Sequence, residues 1–343
     1  MKKLVLFVIV ACFGAQAANY SAQRSTRDGV DVVVLSDAAR HTEVTVVPSM
    51  GNTAFEMKVN GKNVLNTPSS SLAALKGKSS VPGNPLLWPW PNRLDQDAYY
   101  ANGKKYLINP NLNNVGRDEN KHPLHGAVIA SSAWVVVSVK ADAQKAEVTS
   151  RLEFWKYPDL MAQFPFAHTF EETYRLSDGT LEVEAAVHNM SAEPMPMAVG
   201  FHPFFKVNDA PFAQWKLHIG ARDHVVLSKE KIPTGERKPV EFPDPLPLAG
   251  VQLDDQFANL IRGTDGRGEF WVQGKAEKVS VLFGPKYDVV VIYTGGRDAV
   301  AIEAMSAITD AFNLAQSGVY KGLQTIPPGG EWRESFWIRP SGF

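Results

Sequence analysis

Four short stretches set polar, titratable side chains among apolar ones. In GFHPFF (200–205), His202 stands among three phenylalanines and a proline. Pro203 biases the residue before it toward extended backbone, and phenylalanines that exclude water weaken the hold of an imidazole on its proton unless a carboxylate or ligand answers it. A histidine in that setting gives its proton away readily; the same pattern also fits a packed, hydrogen-bonded core histidine. In VAIEAMSAITDAFN (300–313), Glu303 follows an apolar run and precedes small residues. A carboxylate withdrawn from water needs a partner, whereas one pointing out from an edge strand needs none.

The other two stretches suit recognition. In LLWPWPNRL (86–94), Asn92 and Arg93 end a rigid run of aromatic and proline residues, and a guanidinium so held can grip a ligand through its planar fork of donors, or pair with a surface carboxylate. HPLHGAV (122–128) spaces His122 and His125 as H-x-x-H. On a helix that spacing would suit a metal, but Pro123 and Gly126 make the segment a loop or strand entry. His122 reads as a packed, hydrogen-bonded histidine, and neither a metal nor a cofactor is expected.

The elements that must position these residues read as short strands separated by turns, with hardly any helical period sustained for three turns. Asn60-Gly61, Asn102-Gly103 and Asp178-Gly179 each lie between alternating runs. Each marks a two-residue hairpin, because both turn residues need positive φ, which Asn, Asp and Gly tolerate best. Residues 134–154 add another strand pair. With 23 prolines and 26 glycines, the expected fold is all-β, a large antiparallel β-sandwich. The proline-rich residues 231–250 are expected to form a long surface loop, since strand patterns continue on both sides.

Composition narrows the class of protein. The start, MKKLVLFVIVACFGAQA, combines Lys2 and Lys3, a short apolar run and a small-residue Ala-Gln-Ala end, the pattern of a secretory signal at residues 1–17. The run is too short for a membrane span, which takes about 20 residues. Cys12, the only cysteine, also fits a lipoprotein processing site that would tether the mature chain by a lipid; cleavage after Ala17 is the favoured reading. Export, to the periplasm or beyond, is expected, with residues 18–343 forming one domain held by its core and not by disulfides. Acids and bases nearly balance, at 36 against 35, and no basic run suggests a nucleic-acid partner.

Five segments occur together in a recognisable order. LLWPWPNRL, LHGAV, MPMAVGFHPFF (195–205), LDDQFANL (253–260) and EAMSAITDAFN resemble the successive signature segments of the aldose 1-epimerase (galactose mutarotase) family. The resemblance runs over residues 55–339 and ends in GLQTIPPGGEWRESFWI (322–338), similar to the family's closing strand pair. It implies a β-sandwich of the galactose mutarotase type (a supersandwich) that holds a monosaccharide, with Glu303 as base and His202 as acid. It also implies that Arg93, His125 and Asp254, with Asn92 beside them, bind sugar hydroxyls. The family's usual Tyr-Asp-His segment reads Leu253-Asp254-Asp255 here, so either aspartate could serve; spacing to Phe257 favours Asp254. After His125-Gly126 many relatives carry a basic residue where this chain has Ala127-Val128-Ile129.

A base and an acid suffice for anomer exchange: the anomeric hydroxyl loses a proton while the ring oxygen gains one, and the open aldehyde turns and re-closes. Each well-placed group contributes about 10² to 10⁴ in rate. A free hexose is the expected substrate, with a hexose 6-phosphate as the alternative. The other readings are a carbohydrate-binding sandwich without turnover, and a metal enzyme using His122, His125, His202 and Glu303.

Overall fold

The computed structural model describes residues 19–67, 71–78, 82–296 and 298–343. The expected signal, with Lys2, Lys3, Cys12 and Ala17, lies outside the described residues. The architecture is the expected antiparallel β-sandwich. Among the described residues the α-helices are Pro158–Gln163 and Ala311–Gln316, six residues each, and no helix is long and apolar enough to cross a membrane.

Three sheets carry the fold. A five-stranded meander runs from Tyr20–Arg27 to Lys62–Asn63. A nine-stranded sheet has Thr180–Asn189 and Glu331–Ser341 at its centre. The third sheet orders Pro233–Pro239, Ala221–Leu227, Asp254–Leu260, Val289–Gly296, Ala299–Met305, Gly200–Phe201 and Leu86–Leu87, with Phe204–Phe205 also paired to Ala299–Met305. Phe201 and Phe257 of this third sheet meet Phe336 and Phe270 of the nine-stranded one, ring centroids 4.9 and 6.5 Å apart. Side chains alternate across a strand, so His202, Asp254 and Glu303 are left for the opposite face.

The hairpin turns form as their residues dictate. Both residues of Asn60-Gly61, Asn102-Gly103 and Asp178-Gly179 have positive φ, between 49° and 76°, the primed turns whose twist matches the strands they join. Asp28-Gly29 makes a fourth, between Tyr20–Arg27 and Val30–Asp37. Residues 134–154 form the expected pair, Val135–Ala141 with Ala146–Glu153.

Residues 231–250 are not the loop expected of them. Pro233–Pro239 is the outermost strand of the third sheet, paired with Ala221–Leu227, and Leu246–Pro247 edges the nine-stranded sheet. Proline lacks an N–H and so suits an edge, where one side of the strand needs no donor. Where the meander meets the nine-stranded sheet, buried polar groups gather. The Tyr174 hydroxyl donates to the Asn52 carbonyl at 3.0 Å and accepts the Ala54 N–H at 3.1 Å, while Asn52 Nδ2 donates to the fully buried Glu172 carboxyl at 2.8 Å.

Candidate active site

Strand register brings His202 and Glu303 together. Gly200 pairs with Met305, and Phe204 with Ala301, so the register carries Glu303 to the position opposite His202. The ladder breaks between these pairs because Pro203 has no N–H to donate. The His202 N–H serves the neighbouring strand on the other side, donating to the Pro85 carbonyl at 3.0 Å. The two side chains then face each other across the break, with His202 Nε2 3.2 Å from Glu303 Oε1. They touch directly instead of flanking a space, which suits a hemiacetal whose two reacting oxygens share one carbon.

The pair is deeply placed. The Glu303 side chain is 2% exposed and that of His202 16%; neither Glu303 Oε2 nor His202 Nδ1 has a protein partner. Burial pushes the Glu303 carboxyl well above the usual carboxylate range, the nearby Asp254 charge adds to this, and Arg93 opposes it. Burial also lowers His202, to about 4. Both shifts act against the charged forms. A proton moved across the 3.2 Å contact interconverts carboxylic acid with imidazole and carboxylate with imidazolium, with no change in proton count.

His125 enters from a separate loop. It takes φ of +64° and Gly126 +69°, a left-handed pair in which only glycine is free of strain. A Cβ on Gly126 would sit 2.1 Å from the Trp88 carbonyl oxygen. The close approach it permits is fixed by the Ala127 N–H donating to Trp88 at 2.8 Å and the His125 N–H donating to Asn92 at 2.8 Å. The His125 ring meets His202 edge-on, centroids 5.3 Å apart, and burial, with His202 and Arg93 nearby, holds it well below the ordinary histidine range. Phe204 stacks on the His202 ring, centroids 4.9 Å apart, and Tyr293 meets Phe204 edge-on at 6.1 Å.

Arg93 is held on three sides. Its Nε donates to Asp118 at 2.7 Å, its Nη1 donates to Asn92 Oδ1 at 2.9 Å, and its Nη2 lies 3.7 Å from Asp254. Asn92 is buried, with φ of +56°, and its side-chain oxygen is committed to the Arg93 guanidinium and backbone N–H. It thus stands behind Arg93, supporting it. Burial works to raise the Asp118 carboxyl, but hydrogen bonds from Arg93 and His122 hold it below its usual range. His122 is packed against Asp118, Nδ1 to Oδ2 3.2 Å, as its sequence setting suggested.

The two aspartates separate by strand alternation. Asp254 faces Arg93 and adds its charge to the field at Glu303. Asp255 pairs with His224 at 2.9 Å and accepts the Asp254 N–H at 3.0 Å, so it braces its neighbour. Lys231 Nζ lies 3.9 Å from Asp254. Asp118, Tyr293 and His224 were not singled out from the sequence. Asp118 carries no local signal, lying 25 residues from its arginine, whereas the phenylalanine beside His202 was in plain view. A cavity of about 950 Å³ adjoins the cluster at His125 and runs toward Asn114, Ser131 and Tyr157, and is not lined by Glu303 or His202. The site is defined by its converging side chains, not by that volume.

This scaffold has counterparts of known structure. A galactose mutarotase-like protein from Clostridium acetobutylicum superposes with a TM-score of 0.84 at 21% identity, covering 95% of this chain and 99% of that one. The galactose 1-epimerase of Lactobacillus acidophilus NCFM superposes at 0.71 with 13% identity, covering 95% and 100%. At these identities the likeness speaks for the fold. By sequence, the uncharacterized Escherichia coli K12 protein YihR is 24% identical over 237 residues, 66% of this chain and 71% of its own length. YphB of the same organism is also 24% identical, over 50% of this chain and 53% of its own. The profile of the family described as aldose 1-epimerase matches residues 10–339, nearly the whole sequence, and with that match the chain belongs to the aldose 1-epimerase family.

Proposed function

We propose that this protein interconverts the α and β anomers of a free hexose, with Glu303 and His202 as the acid–base pair. The observation that carries the reading is their direct contact at 3.2 Å on a buried floor. Ring opening removes a proton from the anomeric hydroxyl and delivers one to the ring oxygen; re-closure reverses the two transfers. A pair sharing one proton serves both directions, since whichever partner is unprotonated accepts while the other donates. Glu303 acts as base with His202 as acid in one direction, and the duties exchange on closing. Arg93, His125 and Asp254 offer fixed donors and an acceptor to the remaining hydroxyls, which keeps the open chain oriented for its return.

The charge arrangement favours a neutral sugar over a sugar phosphate. The Arg93 guanidinium is answered by Asp118 and faces Asp254, and Lys231 also lies near Asp254. A phosphate there would meet Asp254 at close range. Polarimetry on freshly dissolved α-glucose and α-galactose tests the reading. Wild type should speed the drift in rotation, and Glu303→Gln and His202→Asn should each lose most of that acceleration. A wild type that binds these sugars without speeding their exchange is a binding protein, and one active only on hexose 6-phosphates takes a different substrate. We also propose export from the cytoplasm, on the signal-like pattern of residues 1–17; an exported form whose mass is that of residues 18–343 tests it.

A further inference from the structure

Within the five residues that leave the Glu303 strand, 306–310, three bond to the segments that carry His202, Asp254 and Arg93. Ser306 exchanges hydrogen bonds with Val199, its N–H donating to the carbonyl and its Oγ accepting the Val199 N–H, both at 2.9 Å; His202 lies three residues further on. The Thr309 N–H donates to Gln256 Oε1 at 3.0 Å, two residues beyond Asp254 on the same strand face. The Asp310 N–H donates to the Arg93 carbonyl at 3.0 Å, and Asp310 Oδ1 accepts the Asp95 N–H at 3.0 Å and Asn313 Nδ2 at 2.7 Å. All three residues are buried. Asp310 thus grips the chain on both sides of Leu94, starting at the Arg93 carbonyl, while holding φ of +58°, a conformation aspartate tolerates better than most residues.

We infer that Asp310 is a positioning residue for Arg93, so that it sets how tightly the sugar hydroxyls are held and not the rate of proton transfer. The inference rests on the sugar-epimerase reading above. Asp118 and Asn92 fix the guanidinium, but its backbone is anchored from Asp310, whose helix Ala311–Gln316 is in turn packed against Tyr99 through Phe312, centroids 5.4 Å apart. A single oxygen accepts both side-chain hydrogen bonds, so the role calls for an acceptor at that point in space and not for a negative charge.

The test compares Asp310→Ala, Asp310→Asn and Asp310→Glu. The alanine variant should raise KM for the hexose roughly tenfold, about 1.4 kcal/mol, with kcat within about threefold of wild type. Asparagine keeps the oxygen in place and should restore KM to within about threefold. Glutamate keeps the charge but moves the oxygen by a methylene, and should resemble alanine. Amide exchange at Arg93–Asp95, followed by mass spectrometry on the intact protein, should quicken in the alanine and glutamate variants and stay at the wild-type rate with asparagine. Should alanine fail to fold, the asparagine–glutamate contrast decides. Glutamate matching wild type while asparagine does not, or unchanged KM and unchanged exchange in alanine, overturns the inference. A wild type inactive on every free hexose overturns the functional reading instead, and the exchange measurement still tests the anchoring.

Discussion

Asp118→Asn is the sharpest probe of how the site is assembled. Asp118 Oδ1 accepts the backbone N–H groups of His122 and Asn120 at 2.8 and 3.0 Å, while Oδ2 receives Arg93 Nε at 2.7 Å. Asparagine can keep the Oδ1 contacts, so the turn at 118–122 should survive. In place of Oδ2, however, it presents an NH₂ group to the Arg93 N–H, donor against donor. A hydrogen bond to a charged group contributes about 1.5–3 kcal/mol, and little water reaches a guanidinium whose side chain is 11% exposed. At about 1.4 kcal/mol per factor of ten, KM for the sugar should rise roughly 10- to 150-fold. The Glu303–His202 contact is untouched, so kcat should change far less. Initial rates of anomer exchange by polarimetry over a range of sugar concentrations separate the two constants. A folded Asp118→Asn protein with KM within about twofold of wild type would refute the view that Asp118 orients Arg93 for binding.

Loss of either member of the buried pair, in Glu303→Gln or His202→Asn, should lower kcat by about 10² to 10⁴ at near-normal thermal stability, as read by calorimetry. The shifts at the pair also set the pH profile. With His202 lowered to about 4, the acid limb of kcat/KM should lie below the ordinary histidine range; with Glu303 raised, the alkaline limb should lie above the carboxylate range. Gly126→Ala must place a Cβ against the Trp88 carbonyl at positive φ, and should cost at least about 1–2 kcal/mol of stability and displace His125, measured as a lower melting temperature and a raised KM. Glu172, buried beside Asn52, is pushed up to about 8 by burial. The folded chain keeps a proton that the unfolded chain releases near 4.3, so this group's stabilising contribution is complete below that value and is lost as pH rises to about 8. Denaturant titrations from pH 4 to 9 should show Glu172→Gln falling less steeply than wild type over that window.

The sequence alone determined whatever depends on a few neighbouring residues. Asn-Gly and Asp-Gly pairs fix their own turns, because positive φ at two successive residues is open to few side chains, and so the hairpins and the all-β class were legible. Glycine beside His125 and proline after His202 likewise announced backbone departures that the structure places at the site. The 231–250 segment was misread because proline content signals a turn as readily as a sheet edge, and only the neighbouring strand tells which. Likewise, alternation alone could not say which face of the strand was open, so Asp255 stayed an alternative to the favoured Asp254, and sheet packing turns Asp254 toward Arg93. The meeting of His202 with Glu303, about a hundred residues apart, comes from strand register and the ladder break at Pro203. The hold of Asp118 on Arg93 likewise joins separate loops. Such contacts depend on where whole sheets and loops come to rest, a sum over many distant interactions that no short stretch of residues encodes.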